Sequence, residues 1–94
     1  MDKITGMFTW DESKERENIR KHGVDFKIAS RAFLDTKRKI YVDSGHSEHE
    51  ERFFCIGKAG NKVMTVRFTY RQGMIRIIGA GYWRKGKAYY EKED

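Results

Sequence analysis

The 94-residue sequence contains no proline, one cysteine and no long apolar run. The single thiol, Cys55, excludes an internal disulfide and offers no pair for a structural zinc site. No proline-, glycine- or serine-rich tract marks a linker, so we expect one domain over residues 1–94, with a loose segment at residues 1–6. Because the apolar stretches are short and the first residues lack a secretory pattern, we expect a cytoplasmic protein without membrane contact.

The chain is basic and rich in aromatic residues. Lys and Arg number 20 against 14 Asp and Glu, which gives a formal net charge of +6, and 14% of the residues are aromatic. The aromatic content argues against disorder, while an apolar fraction of 38% allows only a thin core. Such a domain is expected to attract anionic partners and to gain stability from a second chain.

Local patterns predict the element order β-α-α-β-β-β-β-α. The predicted strands are 7–10, 40–42, 51–57, 62–70 and 74–80, and the predicted helices are 12–21, a second one from 26 onward and the last dozen residues. Thr9 or Asp11 can cap the polar first helix, Gly23 can end it, and Asp25 can cap the second. Since short turns join the last three strands, we expect an α+β fold in which helices pack on one face of a mostly antiparallel sheet.

The pairing of these strands predicts a sheet face that is rich in arginine. A two-residue turn at 72–73 separates apolar from polar side chains, and a four-residue turn at 58–61 then places Arg52 opposite Arg67. The polar face carries three arginines and one aromatic ring, namely Arg52, Arg67, Arg76 and Phe54. Because opposed like charges repel, this face needs an anion.

Besides a carboxylate of a partner chain, two sources of that anion are consistent with the sequence. The first is a set of carboxylates of the chain itself, from Glu48, Glu50 or Glu51, on a solvated sheet face. The second is the phosphate of RNA, which arginine binds through two parallel hydrogen bonds while an aromatic ring stacks on a base.

Several other residues are weighed in the same way. His46 and His49 lie in an acidic loop, where a solvated loop is favoured over a zinc site, although His49 is a candidate general acid or base. Lys21 and His22 suit the end of the first helix, with substrate contact as the second interpretation. Cys55 falls on the apolar face and is predicted to be core. The aromatic residues of the tail are predicted to be core more than a base-stacking surface: Tyr82, Trp83, Tyr89 and Tyr90.

A resemblance to a known protein family extends along most of the chain, from Phe8 to about Tyr90. The first blocks are Phe8-Thr9-Trp10-Asp11, Asn18, Lys21-His22-Gly23-Val24, Phe26 and Ala29. The later blocks are Glu51-Arg52, Ile56-Gly57, Met64-Thr65-Val66, Tyr70-Arg71 and Ile75-Arg76-Ile77-Ile78. Together these blocks resemble the BrnT toxin family. The resemblance implies a RelE-like α+β fold and the toxin half of a bacterial type II toxin–antitoxin pair.

The resemblance further implies a metal-independent endoribonuclease, without a cofactor, that cleaves mRNA to arrest growth. Its substrate would be RNA, free or on the ribosome, a cognate antitoxin would neutralise it, and DNA would be contacted only through the antitoxin complex. We expect Arg67 and Arg76 to stabilise the phosphorane formed by 2′-hydroxyl attack. Glu51 is the family-matched base, although the predicted register turns it towards the apolar face, and His49 is the alternative. The expected RNA-binding residues are Arg52, Arg71, Phe54, Lys21, His22, Arg84 and Lys85.

After Ile78 the chain departs from the family pattern. Where the family usually continues Ser-Ala-Arg and later carries an Arg and a Glu-Arg, this sequence has Gly79-Ala80-Gly81 followed by residues 82–87, YWRKGK. Two interpretations stay open. Either Arg84, Lys85 or Lys87 replaces the absent arginine, or the chain is a non-catalytic RNA-binding module or degenerate toxin that acts only in a repressor complex with its antitoxin.

Overall fold

The fold is a six-stranded sheet with three α-helices packed on it, seen in a computed structural model that describes residues 1–46 and 49–92. The helices are α1 Glu12–His22, α2 Phe26–Ser30 and α3 Arg84–Glu91, with 3₁₀ helices at Arg31–Leu34 and Ser44–His46. The strands are β1 Asp2–Thr5, β2 Phe8–Asp11, β3 Lys39–Val42, β4 Phe53–Ala59, β5 Lys62–Arg71 and β6 Met74–Gly81. They lie in the order β1-β2-β6-β5-β4-β3 and are antiparallel except for β2 beside β6. The predicted α+β class is confirmed.

The first residues of the chain form an edge strand where a loose segment was expected. β1 pairs antiparallel with β2, and Gly6 supplies the left-handed backbone of the turn between them (φ 61°). All four β1 side chains are exposed, so backbone hydrogen bonds hold the strand and no buried apolar pattern announces it. The expectation of a loose segment was therefore wrong.

α1 begins and ends where the capping residues predict. Of the two candidate caps, Asp11 acts: its Oδ1 accepts from the backbone N of Ser13 at 2.8 Å and of Lys14 at 3.4 Å. The hydroxyl and amide of Ser13 lower the pKa of Asp11 to about 2. At the other end Gly23 adopts a left-handed conformation (φ 69°) and donates its N–H to Ile19 O.

The core lies between one sheet face and α2 with the following 3₁₀ helix. The predicted apolar face is confirmed by its fully or almost fully buried side chains Cys55, Met64, Val66, Phe68 and Ile77, which meet Phe26, Ala29 and Ala32. Cys55 is a core residue, and burial raises the pKa of its thiol to about 12. α3 lies on the opposite face of the sheet, against Thr65 and Ile56, whereas all helices were expected to pack on one face.

Gly86 permits the close approach of α3 to the sheet. A Cβ at this position would lie 2.0 Å from Oγ1 of Thr65, well inside van der Waals contact. From the sequence, Gly86 only weakens a helix; in the fold it is the residue that lets helix and strand touch.

Replacing Gly86 by alanine is expected to destabilise the protein by about 1–3 kcal/mol through steric overlap. Helix propensity alone predicts the opposite sign, a gain of about 1 kcal/mol. Urea unfolding of the unaltered protein and of Gly86→Ala decides between the two expectations. The double variant Gly86→Ala/Thr65→Ala should recover part of the lost stability. A more stable single variant would contradict the close-approach explanation.

Tyr90 ties the end of α3 to the loop before β3. Its hydroxyl donates a short hydrogen bond to Asp35, whose carboxylate also accepts from the backbone N of Lys37 and of Lys58. The hydrogen bond to Asp35 raises the pKa of Tyr90 to about 12. Burial pushes the pKa of Asp35 upward, but the hydrogen bonds from Tyr90, Lys58 and Lys37 outweigh it and leave the pKa lowered.

The Tyr90→Phe variant is expected to be less stable than the unaltered protein at neutral pH, with a difference that shrinks at high pH. The folded pKa of Tyr90 lies above the unfolded value of about 10, so its contribution is complete below that pH and declines as the pH rises towards 12. Urea midpoints of both proteins, measured from about pH 8 to pH 11, give this difference directly. A constant difference over that range would contradict the assignment.

Candidate nucleic-acid interface

Arg67 lies in the middle of β5 on the polar sheet face. The β4–β5 turn has two residues, Gly60 and Asn61, because Gly60 adopts a left-handed conformation (φ 69°). The four-residue turn predicted from the sequence is therefore wrong, and the pairing is shifted by two residues. Phe54, not Arg52, lies opposite Arg67. Since side chains alternate with a period of two, the shift leaves every residue on its predicted face.

A β-bulge in β6 opens the surface beside Arg67. The predicted turn at 72–73 and the pairs that follow it are confirmed as far as Phe68 with Ile77. There β6 inserts Ile78, and Arg67 pairs with Gly79. Because Gly79 has no side chain, the sheet surface next to Arg67 stays open to solvent and lines a cleft.

Two adjoining clefts meet at Arg67, and together we call them the arginine cleft. One, of about 350 Å³, lies towards α1, and the other, of about 460 Å³, lies towards α3. Both are lined by Phe54, Thr65, Arg67 and Trp83. The side towards α1 adds Lys14, Glu17, Lys21 and His22, and the side towards α3 adds Tyr41, Lys85 and Tyr89.

The guanidinium of Arg67 makes an ion-pair contact through its Nε, and this buried nitrogen has no hydrogen-bond partner within residues 1–46 and 49–92. Its Cζ lies 5.6 Å from the ring centroid of Phe54, and its Nε lies 3.4 Å from Oδ2 of the buried Asp43. Across residues 1–46 and 49–92, neither Nη nitrogen of Arg67 has a hydrogen-bond acceptor. These donors are thus oriented by Asp43 and Phe54 and available for an anion in the cleft.

α1 contributes a cationic edge to the arginine cleft. Lys21 Nζ lies 3.3 Å from Glu17 Oε1, and Glu17 also pairs with Arg20. These contacts lower the pKa of Glu17 to about 2, and the contact with Arg20 has the larger effect.

His22 also belongs to this side of the cleft. The ring of His22 meets Trp83 edge-on, with 5.1 Å between the ring centroids. His22 is both the last residue of α1 and a cleft residue, so the helix-end and substrate-contact interpretations are compatible.

Asn18 fixes the position of α1, a role that no apolar pattern could reveal. Its Nδ2 donates to Val24 O and to Ala80 O, each at 2.9 Å, and its Oδ1 accepts from Ala80 N at 3.1 Å. The buried carboxamide therefore pairs with the edge of β6 as a neighbouring strand would. This side chain therefore anchors the largely polar helix α1 to the rest of the fold.

Two other arginines of the sheet, Arg76 and Arg71, are met by carboxylates. Arg76 forms a two-pronged pair with Asp2 at 2.9 and 3.1 Å, and this hydrogen bonding raises the pKa of Arg76 and lowers that of Asp2. Arg71 pairs with Glu50 at 2.9 Å. Of the carboxylates expected to neutralise this face, Glu50 does so, while Glu48 lies outside the described residues.

The other predicted site residues lie away from the arginine cleft. His49 and Glu51 are exposed, and neither lines the cleft; the Glu51 carbonyl accepts from Thr69 Oγ1 at 2.7 Å. β4 begins at Phe53, two residues later than predicted, so Glu51 precedes the strand and is not turned into the apolar face. Arg52 is half-buried, and its backbone carbonyl accepts a hydrogen bond from the backbone N–H of Asp43 at 2.7 Å.

Several residues at the cleft were not predicted as site residues from the sequence, among them Lys14 and Trp83. Lys14 lies on an exposed helix face with no pattern to single it out. Trp83, expected to be core, is 45% exposed and rests on Gly81, where an added Cβ would lie 2.6 Å from the indole.

In the described part of the chain, no group of three His, Cys, Asp or Glu residues is placed to hold a metal ion. Nor is any described helix long and apolar enough to cross a membrane.

In the part of the chain that the structure describes, an arginine without an acceptor for its Nη donors lies beside an aromatic ring and several lysines in an open cleft, and such an arrangement suits an anion such as phosphate. A family model, "Ribonuclease toxin, BrnT, of type II toxin-antitoxin system", matches residues 10–86. The chain belongs to this family, and in general terms it is a ribonuclease toxin with an RNA substrate and a cognate antitoxin. A comparison with curated proteins gives no match.

Proposed function

We propose that this toxin is a metal-independent endoribonuclease that cleaves mRNA in the arginine cleft. The observation that carries the proposal is the guanidinium of Arg67, which lines an open, basic cleft and whose Nη donors have no acceptor among the described residues 1–46 and 49–92. Phe54 and Trp83 line the same cleft and offer aromatic rings to a base.

The reaction needs no covalent enzyme residue. The RNA 2′-hydroxyl attacks the adjacent phosphorus, the bond from phosphorus to the 5′-oxygen breaks, and the products carry a 2′,3′-cyclic phosphate and a 5′-hydroxyl. The phosphorane between these states has additional negative charge on its non-bridging oxygens. Arg67 donates two hydrogen bonds to these oxygens, and such fixed donors are most effective where water is displaced.

Arg76 was expected to stabilise the phosphorane together with Arg67, but it lines neither part of the arginine cleft, so we assign Arg76, Arg71 and Arg52 to neighbouring phosphates. Arg76 and Arg71 can do so only if phosphate displaces their carboxylate partners, Asp2 and Glu50. Asp2 belongs to an edge strand and its side chain is 55% exposed, so it can be displaced at small cost. Arg52 is proposed to bind RNA from the start of β4.

Proton transfer requires a base for the 2′-hydroxyl and an acid for the leaving 5′-oxygen. Glu51 and His49 remain proposed for this role, and both would have to approach Arg67 when RNA binds. We add His22, which already lines the arginine cleft and carries the side chain best suited to exchange protons near neutral pH.

The proposal is tested with purified protein and a defined single-stranded mRNA fragment in excess EDTA. Cleavage in the chelator, with 2′,3′-cyclic phosphate and 5′-hydroxyl ends, is the expected result. A strand in which every 2′-hydroxyl is methylated should bind and stay intact, because the nucleophile is blocked. Cleavage that requires added divalent metal, or that leaves a 5′-phosphate, would overturn the mechanism.

The second candidate, a toxin that binds RNA without cutting it, is favoured by one observation: Arg71 and Arg76 are already paired with carboxylates. In that case the protein binds RNA with a steep salt dependence and leaves it intact, both alone and with translating ribosomes. The same assay therefore separates the two candidates.

A further inference from the structure

A third cleft, of about 480 Å³, lies on the far side of Trp83 from α1. We call it the basic groove, and its charged and aromatic residues are Lys58, Lys62, Arg84, Lys87, Tyr82 and Trp83. One carboxylate, that of Glu91, lines it as well. Within residues 1–46 and 49–92, no ion pair engages any of the four cations, so their charge faces solvent.

Trp83 connects this groove to the arginine cleft. It lines the basic groove and both parts of the arginine cleft, and it is 45% exposed although it is one of the largest apolar side chains. Gly81 and His22 hold the indole in place, the first by leaving room beneath it and the second by an edge-on contact at 5.1 Å. An ordered, half-exposed indole at the meeting point of two basic clefts is positioned to receive a flat ligand.

We propose that the basic groove binds the single-stranded RNA flanking the cleaved bond, and that Trp83 stacks on a nucleobase between the two clefts. Lysines and arginine would attract the phosphates of any sequence, and the indole would receive any base. The inference rests on the proposed function, because it assumes that RNA occupies the arginine cleft. It predicts that long RNA is bound more tightly than a dinucleotide.

The aromatic residues favour RNA over an acidic segment of a partner protein as the occupant. Carboxylates would use the four cations but leave the exposed ring of Trp83 without a role. In addition, Lys62 Nζ lies 5.2 Å from the ring centroid of Tyr82, so a second aromatic ring stands among the cations. The groove thus offers both cations and aromatic rings, the two kinds of group that bind the phosphates and the bases of a single strand.

The chain allows a direct optical test of stacking. It has two tryptophans, of which Trp10 is 2% exposed and Trp83 is 45% exposed. The probes are a dinucleotide and a strand of about 12 nucleotides, both fully 2′-O-methylated so that they cannot be cut. The longer strand should quench the fluorescence of the unaltered protein and leave that of Trp83→Phe, which reports Trp10, almost unchanged.

Affinity measurements on matched variants complete the test. Trp83→Ala should bind the longer strand roughly tenfold more weakly, and Trp83→Phe should keep most of the affinity because a ring remains. The double variant Lys58→Ala/Lys62→Ala should weaken the longer strand and reduce its salt dependence, with dinucleotide binding unchanged. Its control, Lys27→Ala/Lys37→Ala, removes the same charge from exposed positions outside the groove and should behave as the unaltered protein.

Cleavage of RNA separates the failure of this inference from the failure of the proposed function. Suppose that the unaltered protein cuts RNA, and that Trp83→Ala and Lys58→Ala/Lys62→Ala bind and cut long RNA equally well. The groove proposal alone is then overturned. If polyglutamate does not displace bound RNA, the result supports RNA as the occupant of the groove. If polyglutamate binds, loses affinity when the groove lysines are replaced, and RNA binding is unaffected by that replacement, RNA as the occupant is overturned. An unaltered protein that neither binds nor cuts RNA overturns both proposals.

Discussion

Replacing Arg67 by alanine should reduce RNA cleavage by about 10²- to 10³-fold in kcat/KM, the typical loss on removing one preorganised donor from a developing oxyanion. The reason is geometric, because Asp43 and Phe54 orient the guanidinium while its Nη donors face the cleft. Cleavage of a labelled RNA in EDTA, under single-turnover conditions, measures the chemical step.

Two variants show whether charge alone explains such a loss. Arg67→Lys keeps the charge but removes the planar pair of donors, so it should recover binding more than cleavage. Arg31→Ala removes the same charge from an exposed position on the opposite side of the sheet and should cleave normally. Full activity in Arg67→Ala, with its far-UV spectrum unchanged, would exclude Arg67 from the active site.

The largest loss of stability is expected from Asn18→Ala, at about 2–5 kcal/mol. The variant leaves three buried backbone groups without partners: the carbonyls of Val24 and Ala80 and the N–H of Ala80. Alanine is the better helix former, so helix propensity opposes the loss and cannot account for it. Urea unfolding gives the free energy.

A control on the same helix separates the buried amide from general effects on α1. Arg16 is exposed and lines neither part of the arginine cleft, and Arg16→Ala should change stability by less than about 0.5 kcal/mol. If Asn18→Ala were as stable as Arg16→Ala, the anchoring of α1 by its amide would be refuted. Because α1 lines the cleft, we also expect Asn18→Ala to weaken RNA binding.

Most of the fold was predictable because its determinants are local. Asp11, Gly23 and Asp25 mark helix ends through their own side chain or backbone, and the alternation from Met64 to Ile77 defines a buried face. The residues that carry the family resemblance near the N-terminus also prove structural. The Trp10 indole donates to Glu15, and the other carboxylate oxygen of Glu15 accepts the N–H of Phe26.

The features that were not predicted depend on contacts between distant parts of the chain. The turn at Gly60 sets the partner of Arg67, and nothing in the local pattern distinguishes two turn residues from four. The pairing of Asp2 with Arg76 joins residues 74 positions apart, so Arg76 was placed on the right face without its partner. Likewise Trp83 was judged by its apolar character, whereas in the fold its indole lies half-exposed over Gly81.

The bulge at Ile78 has a consequence for the gene. Phe68 pairs with Ile77 before the bulge and Arg67 pairs with Gly79 after it, so Ile78 is the one residue of this stretch without a partner across the ladder. Deletion of the Ile78 codon would leave every remaining residue pair between β5 and β6 with its present partner. Elsewhere in these strands a deleted codon would turn all later side chains to the wrong face. The lineage of this toxin can therefore change the length of β6 at this point, and reshape the floor beside Arg67, in a single mutational step.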